Sequence, residues 1–387
     1  MSRVVAFAKD WEDVPTCITH VLKEMGKTMP VLWVSSIGTR RPNLAQPGDA
    51  RRIVQRITRG LSRAALKQNH LRVMNPLLIP KAQSGVARAI NRILFGWLAG
   101  RELRVMAAER GDSDVVEYWC SVPNAVDYLP ATADGNKVIY YCPDDWSEFG
   151  NLDGEWLASK ERLMLQRADV VFTPSIELKK KLSEVAGDNV HHVPHGVDYE
   201  KFSSALSDEM AVPEELASLA GPVVGFYGNI YPWIDFDLVG RLAERFPEWN
   251  FVLIGGAFCD VRDLEKLANV YLLGRREHDA LPAYCKGFDA AIVPYDMKKR
   301  RMQTVNPVKV REMLAAGVPV VAAKLPELVE TEVGREGDVI TCGSDEEWVQ
   351  ALERQVVRSD RREISQGVMG DGWGGRVAWM REVVDGS

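Results

Sequence analysis

Residues 306–323, NPVKVREMLAAGVPVVAA, hold the side chains whose types and spacing speak most directly of chemistry. Asn306 is of a type that caps helices and is counted among the donor-binding candidates with Gly228, Asn229, Lys309 and Glu312, Pro307 suits a first helical position, and Gly317 suits the residue just past a helix end. The run therefore predicts a helix of about three turns followed by a buried strand. Lys309 falls in the first turn, where unpaired backbone N–H groups and the helix dipole favour an anion. Glu312 comes three residues later, on the same side of the helix, and a carboxylate there can accept two hydrogen bonds from a ribose diol. Lysine for phosphate and glutamate for ribose together describe a site for a nucleotide diphosphate. The same pair could equally form an ion pair across one turn of an ordinary helix.

Other candidates are spread along the chain. The run VVGFYGNI brings a predicted strand to Gly228 and Asn229, and a glycine there lets backbone approach a phosphate, although a plain tight turn fits as well. It is not GxGxxG, so a nicotinamide cofactor loses its main support. Asp144 and Asp145 follow the predicted strand VIYYC. Transfer of a group to a hydroxyl needs a base near its proton, and adjacent residues in extended chain point opposite ways. One of the pair would act as the catalytic base and the other would cap the next segment; two turn residues after a proline are the alternative. Asp10 and Trp11, with Lys9, follow the first predicted strand and are acceptor-side candidates, the indole serving either to stack on a sugar or simply to pack. His195 is expected to be structural. The run Lys298–Arg301 could neutralise a phosphate or a uronic acid, or be a solvated loop. The carboxylates form no DxD at a strand end and there is no CxxC, so neither a metal nor a cofactor is expected, and Lys309 with the helix dipole would bear the charge of a departing diphosphate.

Positioning such residues takes strands that end together. Short β-branched runs separated by helical stretches predict strands at Val4–Ala8, Val31–Ser35, Asp114–Trp119, Val138–Cys142, Val170–Pro174 and Val190–Pro194. In the second half they fall at Val223–Tyr227, Phe251–Gly255, Val270–Leu273, Ala290–Pro294, Pro319–Ala322 and Val339–Thr341. Continuous apolar strands of this kind belong to parallel sheets covered on both faces. The expected fold is α/β, two facing Rossmann-like domains with a cleft between them. The expected division is an acceptor domain over residues 1–200, a linker over 201–220, a nucleotide domain over 221–365, and a C-terminal helix over 366–387 packing back on the first domain.

The 387 residues suit two domains at ~150 residues each. A composition 46% hydrophobic and 26% charged excludes a disordered chain or a rod. No apolar run approaches the ~18 residues of a membrane span, and Lys9 and Asp10 interrupt any signal-peptide core, so a cytoplasmic chain is expected. The six cysteines are scattered. Net charge is −6, yet residues 40–104 hold fourteen Lys or Arg against only Asp49 and Glu102. This asymmetry points to an anionic partner at one place. Within it Val86, Ile90, Ile93, Leu94, Trp97 and Leu98 recur at helical spacing, interleaved with Arg88, Arg92, Arg101 and Arg104. That pattern fits a helix lying on an anionic membrane surface, and also an internal helix with solvated arginines. No helix-turn-helix, RNA-binding or zinc signature accompanies the charge, so nucleic acid is not an expected partner.

Taken with FDAAIVPY upstream, Asn306–Ala323 resembles the nucleotide-sugar signature of glycosyltransferase family 4, whose members have the two-Rossmann GT-B fold. HVPHGVD, residues 192–198, resembles the inter-domain motif of the same enzymes. YYCPDDW followed by ERLMLQRADVVFTPS resembles bacterial exopolysaccharide and teichuronic-acid glycosyltransferases and the glucuronosyltransferase of xanthan synthesis. The similarity covers roughly residues 138–325. It implies that Glu312 holds the donor ribose, Lys309 the diphosphate, and Gly228 the phosphate loop, with Asp144 aligned to the aspartate base of the xanthan enzyme. This chain departs from the family at one point: the first of two glutamates separated by seven residues is replaced by Thr304. The resemblance implies a transferase at the inner face of the cell membrane, moving a sugar from a nucleotide-diphosphate donor such as a UDP-sugar to a lipid-linked or envelope glycan. A GT-B sugar-nucleotide epimerase and a non-enzymatic anion- or nucleic-acid-binding protein are the alternatives.

Overall fold

The computed structural model describes residues 2–11, 13, 15–35, 37, 65–68, 70–76, 78–79, 84–110, 115–130, 135–148 and 154–387. It divides into two compact units, residues 1–194 with 376–387, and residues 195–375.

The first unit holds β1 (Arg3–Phe7), β2 (Val31–Val34), β3 (Ala65–Gln68), β4 (Leu71–Met74), β5 (Val116–Cys120), β6 (Lys137–Tyr141), β7 (Val170–Thr173) and β8 (Val190–His192). Their order is β3-β4-β2-β1-β5-β6-β7-β8, parallel except for β3, which runs antiparallel to β4 at the edge. The second unit holds β9 (Val223–Tyr227), β10 (Asn250–Ile254), β11 (Val270–Gly274), β12 (Ala290–Val293), β13 (Val320–Ala323) and β14 (Val339–Cys342), in the order β11-β10-β9-β12-β13-β14 and all parallel. Counted from β9, this is the doubly wound order 3-2-1-4-5-6. Ligands of such sheets bind past the strand ends where the order reverses. In the second unit that point lies between β9 and β12, and the loop after β9 begins with Gly228 and Asn229. In the first unit it lies between β1 and β5, and the loop after β1 carries Asp10 and Trp11.

Every residue of β1, β9 and β12 is buried, because helices cover both sheet faces and no alternation with polar residues is needed. All twelve expected strands are present, with ends displaced by a residue or two. The expectation of about six strands in the first half is corrected to eight: β3 and β4 lie in the basic region, where charge obscures the short runs. In β4, Arg72 interrupts an otherwise buried Leu71, Val73 and Met74.

Residues 201–220, expected as a linker, include the end of a helix at Tyr199–Ser203 and a helix at Glu214–Ala217, and Phe202, Ala205 and Leu216 are buried in the second unit's core. The last helix, Trp373–Gly386, joins the first unit from Arg376 onward, where Arg381 pairs with Glu117 and Trp379 packs edge-on against Phe172 at 6.1 Å.

The helix Gly85–Arg110 buries Ala87, Asn91, Phe95, Ala99, Glu102 and Met106 along one stripe. Asn91 anchors it, its amide accepting from the Ile79 N–H at 2.7 Å and donating to the Ile79 carbonyl at 3.0 Å. Residues 40–64 of the basic region lie outside the described residues. Among the described residues no helix is long and apolar enough to cross a membrane, and all six cysteines are thiols.

Candidate functional site

The helix that carries Lys309 and Glu312 spans Val308–Ala315, about two turns rather than three. Its N-cap is Pro307, with no side chain capping it, so Asn306 is not the cap the sequence suggested. The Asn306 amide is used elsewhere: Nδ2 donates to Glu327 at 3.2 Å, and Oδ1 accepts from Arg311 at 3.4 Å. Arg311 is itself buried and pairs with Asp371 at 3.1 Å. This network anchors the helix start and gives Asn306 a holding role. The stop is as expected, with Gly317 at φ +75°, where an added Cβ would meet the Arg361 carbonyl oxygen at 2.6 Å.

Lys309 and Glu312 do not pair with one another. The Lys309 ammonium lies 4.3 Å from the Phe226 ring centroid and 5.5 Å from that of Tyr295, held by cation–π attraction. It also sits against Gly228, where an added Cβ would come within 2.3 Å of Nζ. Gly228 has φ +134°, a conformation only glycine adopts easily, and its missing side chain is the space the ammonium occupies. Lys309 and Gly228 thus come together. Asn229 beside them is exposed.

Glu312 is buried and both its oxygens are engaged. The Tyr227 hydroxyl donates to Oε2 at 2.9 Å, and His278 Nε2 lies 3.1 Å from Oε1. On its other side, His278 Nδ1 lies 2.8 Å from the Lys201 ammonium. An ammonium only donates, so Nδ1 accepts and Nε2 carries the proton it gives to Glu312. Burial, and then the Glu312 charge, push the Tyr227 phenol well above its ordinary range and keep it a donor. Each carboxylate oxygen has two acceptor positions, so Glu312 keeps one on each for a ribose hydroxyl.

Sequence reasoning missed Tyr227, His278 and Lys201. Tyr227 was visible as the last residue of a strand ending at a glycine. His278 and Lys201 lie in a loop and a five-residue helix that no periodicity marks.

In the first unit the paired aspartates separate. Asp145 is buried, accepts from Lys181 Nζ at 2.7 Å on both oxygens, and accepts from the Ser147 hydroxyl at 2.6 Å and backbone N–H at 3.1 Å. Burial works to raise its pKa, but the Lys181 and Ser147 hydrogen bonds outweigh it and hold the carboxyl below its ordinary value. Asp145 therefore caps and is ion-paired, while Asp144 is half-exposed.

The remaining candidates are engaged in packing. Trp11 meets Trp33 edge-on at 5.2 Å with the Lys23 ammonium 5.1 Å from its ring, and the Asp10 carbonyl closes a turn with the Asp13 N–H. In the Lys298–Arg301 run, Lys299 pairs with Asp296 at 3.7 Å and Arg301 lies 4.8 Å over Trp233. Thr304 closes a 3-10 turn by donating to the Arg301 carbonyl. His195 is buried beside the Trp373 ring. Among the described residues no group of three or more His, Cys, Asp or Glu is arranged to hold a metal ion.

Residues 221–356 match the family described as Glycosyl transferases group 1. The chain is 34% identical over 208 residues to TuaH of Bacillus subtilis (strain 168), assigned as a teichuronic acid biosynthesis glycosyltransferase, covering 49% of this chain and 51% of the relative. It is 24% identical over 222 residues to the GDP-mannose-dependent alpha-(1-6)-phosphatidylinositol monomannoside mannosyltransferase of Mycolicibacterium smegmatis, covering 53% of this chain and 57% of the relative. The chain thus spans about half the length of the curated relatives it matches. Among solved structures, Anabaena Alr3699/HepE in complex with UDP and glucose superposes with a TM-score of 0.61 at 15% identity, covering 100% of both chains. The matched residues contain Gly228, Tyr227, His278, Lys309 and Glu312, and the fold of the whole chain is that of the GT-B glycosyltransferases. The chain is thus similar to the glycosyl transferases group 1 family over residues 221–356 and shares the GT-B fold over its whole length.

Proposed function

We propose that the chain is a glycosyltransferase that moves a sugar from a nucleotide-diphosphate donor, a UDP-sugar, to a lipid-linked or envelope glycan at the inner face of the cell membrane. The observation that carries this is the Lys309 ammonium filling the space beside Gly228, with Glu312 one turn further on and its carboxylate oriented by two donors. Lys309 meets the diphosphate, with Gly228 and Asn229 closing over it, and Glu312 accepts from the two ribose hydroxyls. As the sugar leaves, charge grows on the diphosphate, and Lys309 with the helix dipole stabilises it without a metal ion. Asp144 takes the proton of the acceptor hydroxyl as the new bond forms. Asp10 and Trp11 belong to the acceptor's side of this reading. The uridine assignment is supported by the UDP bound in the Anabaena structure, and the acceptor class by the curated relative assigned to teichuronic acid synthesis.

The test is a thermal-shift panel of UDP, GDP, ADP and their sugar conjugates, because stabilisation by a ligand follows its affinity. UDP and a UDP-sugar are expected to raise Tm most, and Glu312→Ala is expected to abolish the shift. A panel in which no nucleotide diphosphate stabilises the protein removes the proposal.

A further inference from the structure

The helix Gly85–Arg110 is apolar on two sides. One stripe enters the core. The opposite stripe, Val86, Ile90, Ile93 and Trp97, faces solvent at 72%, 42%, 71% and 62% exposure, with Leu94 beside it at 39%. These are spaced at i, i+4, i+7 and i+11, so they form one continuous line along the helix. Helices on protein surfaces normally put charge there, and a row of exposed large apolar residues marks a surface that meets something. The line does not end in apolar residues. Arg101 and Arg104 continue it at the following turns, and the Arg101 guanidinium lies 5.7 Å from the Trp97 ring centroid. Arg92, also exposed, flanks the stripe.

We infer that this stripe is where the chain docks on an anionic lipid surface. Val86, Ile90, Ile93 and Trp97 enter the boundary between headgroups and acyl chains. Arg104, and the end of the Arg101 guanidinium that Glu102 leaves unused in their 2.6 Å pair, reach lipid phosphates, and Trp97 sits at the level where an amphipathic ring is most stable. Charge selects this occupant over a second copy of the chain. Two such stripes packed in parallel would set Arg101 and Arg104 near their own kind, whereas an anionic bilayer complements them, and they belong to the stretch 40–104 whose sequence holds fourteen Lys or Arg against two acids. The inference rests on the proposed membrane-surface placement and names the surface that achieves it. It requires nothing of the nucleotide site.

The experiment is co-sedimentation of the full chain with phosphatidylcholine vesicles, with and without phosphatidylglycerol, alongside the double variant Ile93→Glu/Trp97→Glu. Both positions are exposed, so the fold should tolerate the change, and an unaltered UDP-induced thermal shift checks that it does. The wild type is expected to bind the anionic vesicles, more weakly as salt rises, and the variant to lose on the order of 10- to 100-fold in partitioning. Arg101→Gln/Arg104→Gln should lower binding to anionic vesicles by roughly tenfold. A double variant that binds like wild type assigns docking to another surface and overturns the inference. A wild type that ignores anionic vesicles overturns it together with the membrane placement. A wild-type dimer that the double variant dissociates makes the stripe an interface between copies, and also overturns it. Retained vesicle binding without any UDP-induced shift would leave the surface standing and bring down the donor reading instead.

Discussion

Glu312 in the second unit and Asp145 in the first are both buried carboxylates with both oxygens occupied. Their partners differ in kind. Glu312 is held by a phenol and by a histidine nitrogen whose other nitrogen already accepts from Lys201. Neither donor in that tautomer cancels its charge, and both leave acceptor positions open. Asp145 is held by the Lys181 ammonium and by Ser147, which neutralise it and close it off. A carboxylate oriented by neutral donors is poised to accept from a ligand, whereas one locked to a cation has been spent on the fold. The comparison also bears on the neighbouring Asp144, since Asp145 is the carboxylate that Lys181 holds. Their spacing alone left one to act and one to cap, and the Lys181 and Ser147 bonds give the capping role to Asp145.

The largest effect should come from Asp144→Asn. It removes a base while keeping the side chain's size, and turnover is expected to fall by ~10²- to 10⁴-fold with UDP affinity unchanged. Asp145→Asn should leave turnover within about tenfold and instead lower stability by about 1 kcal/mol or a little more, after discounting for the exposure of Lys181. Rates on a UDP-sugar together with urea melts check both. A fully active Asp144→Asn, or an inactive but stable Asp145→Asn, would reverse the assignment.

Next in size is Glu312→Ala, which removes the acceptor for two hydroxyls and should weaken both UDP and uridine by on the order of 100-fold in calorimetry. Tyr227→Phe leaves the carboxylate but frees one oxygen, and a loss of about tenfold is expected. Equal losses from the two variants would mean that Glu312 acts only by packing with Tyr227.

Gly228→Ala follows. Its Cβ collides with the Lys309 ammonium and the backbone resists φ +134° in any other residue, so Lys309 is displaced. UDP should lose roughly tenfold and uridine almost nothing, since only the phosphate contact moves. A uridine loss as large as the UDP loss would show that the loop has rearranged as a whole.

Much of this was legible in residue order alone. Strands such as Val223–Tyr227 and Val170–Thr173 are buried on both faces, and a continuous apolar run announces that directly. Lys309 and Gly228 were legible as a lysine in a first helical turn and a glycine at a strand end. Asn306 misled because a cap is chosen by the backbone path into the helix. Here Pro307 takes that position, and Arg311 and Glu327 compete for the amide. The Gly85–Arg110 helix was legible only in part. The spacing of its apolar residues defined a face correctly, but periodicity does not say which of two apolar faces meets the core. His278 was invisible because its role arises from Lys201, 77 positions away in the chain.

The smallest effect is one of pH, and it tests whether the partner's charge is what separates the two kinds of carboxylate. Glu161, near Asp145 in the first unit, accepts from the Tyr140 hydroxyl at 2.8 Å and from the Cys142 thiol at 3.4 Å, and feels the Lys181 ammonium only through its field, whereas Asp145 is hydrogen-bonded to it. Burial raises its pKa above the ordinary glutamate value, against the lowering by those two donors. The sign of linkage is therefore opposite at the two sites. Asp145 has a folded pKa below its unfolded one, so its contribution is present above the ordinary carboxylate range and lost as pH falls through the folded value. Glu161 has a folded pKa above its unfolded one, so its contribution is complete below that range and lost as pH rises through the folded value. In urea melts across pH, the stability gap between wild type and Asp145→Asn should shrink on acidification. Glu161→Gln keeps both accepted bonds without the charge, and should gain on the wild type as pH rises from the carboxylate range towards neutrality. If the two gaps run in the same direction, the Lys181 ammonium is not what distinguishes Asp145, and the contrast with Glu312 loses its electrostatic basis.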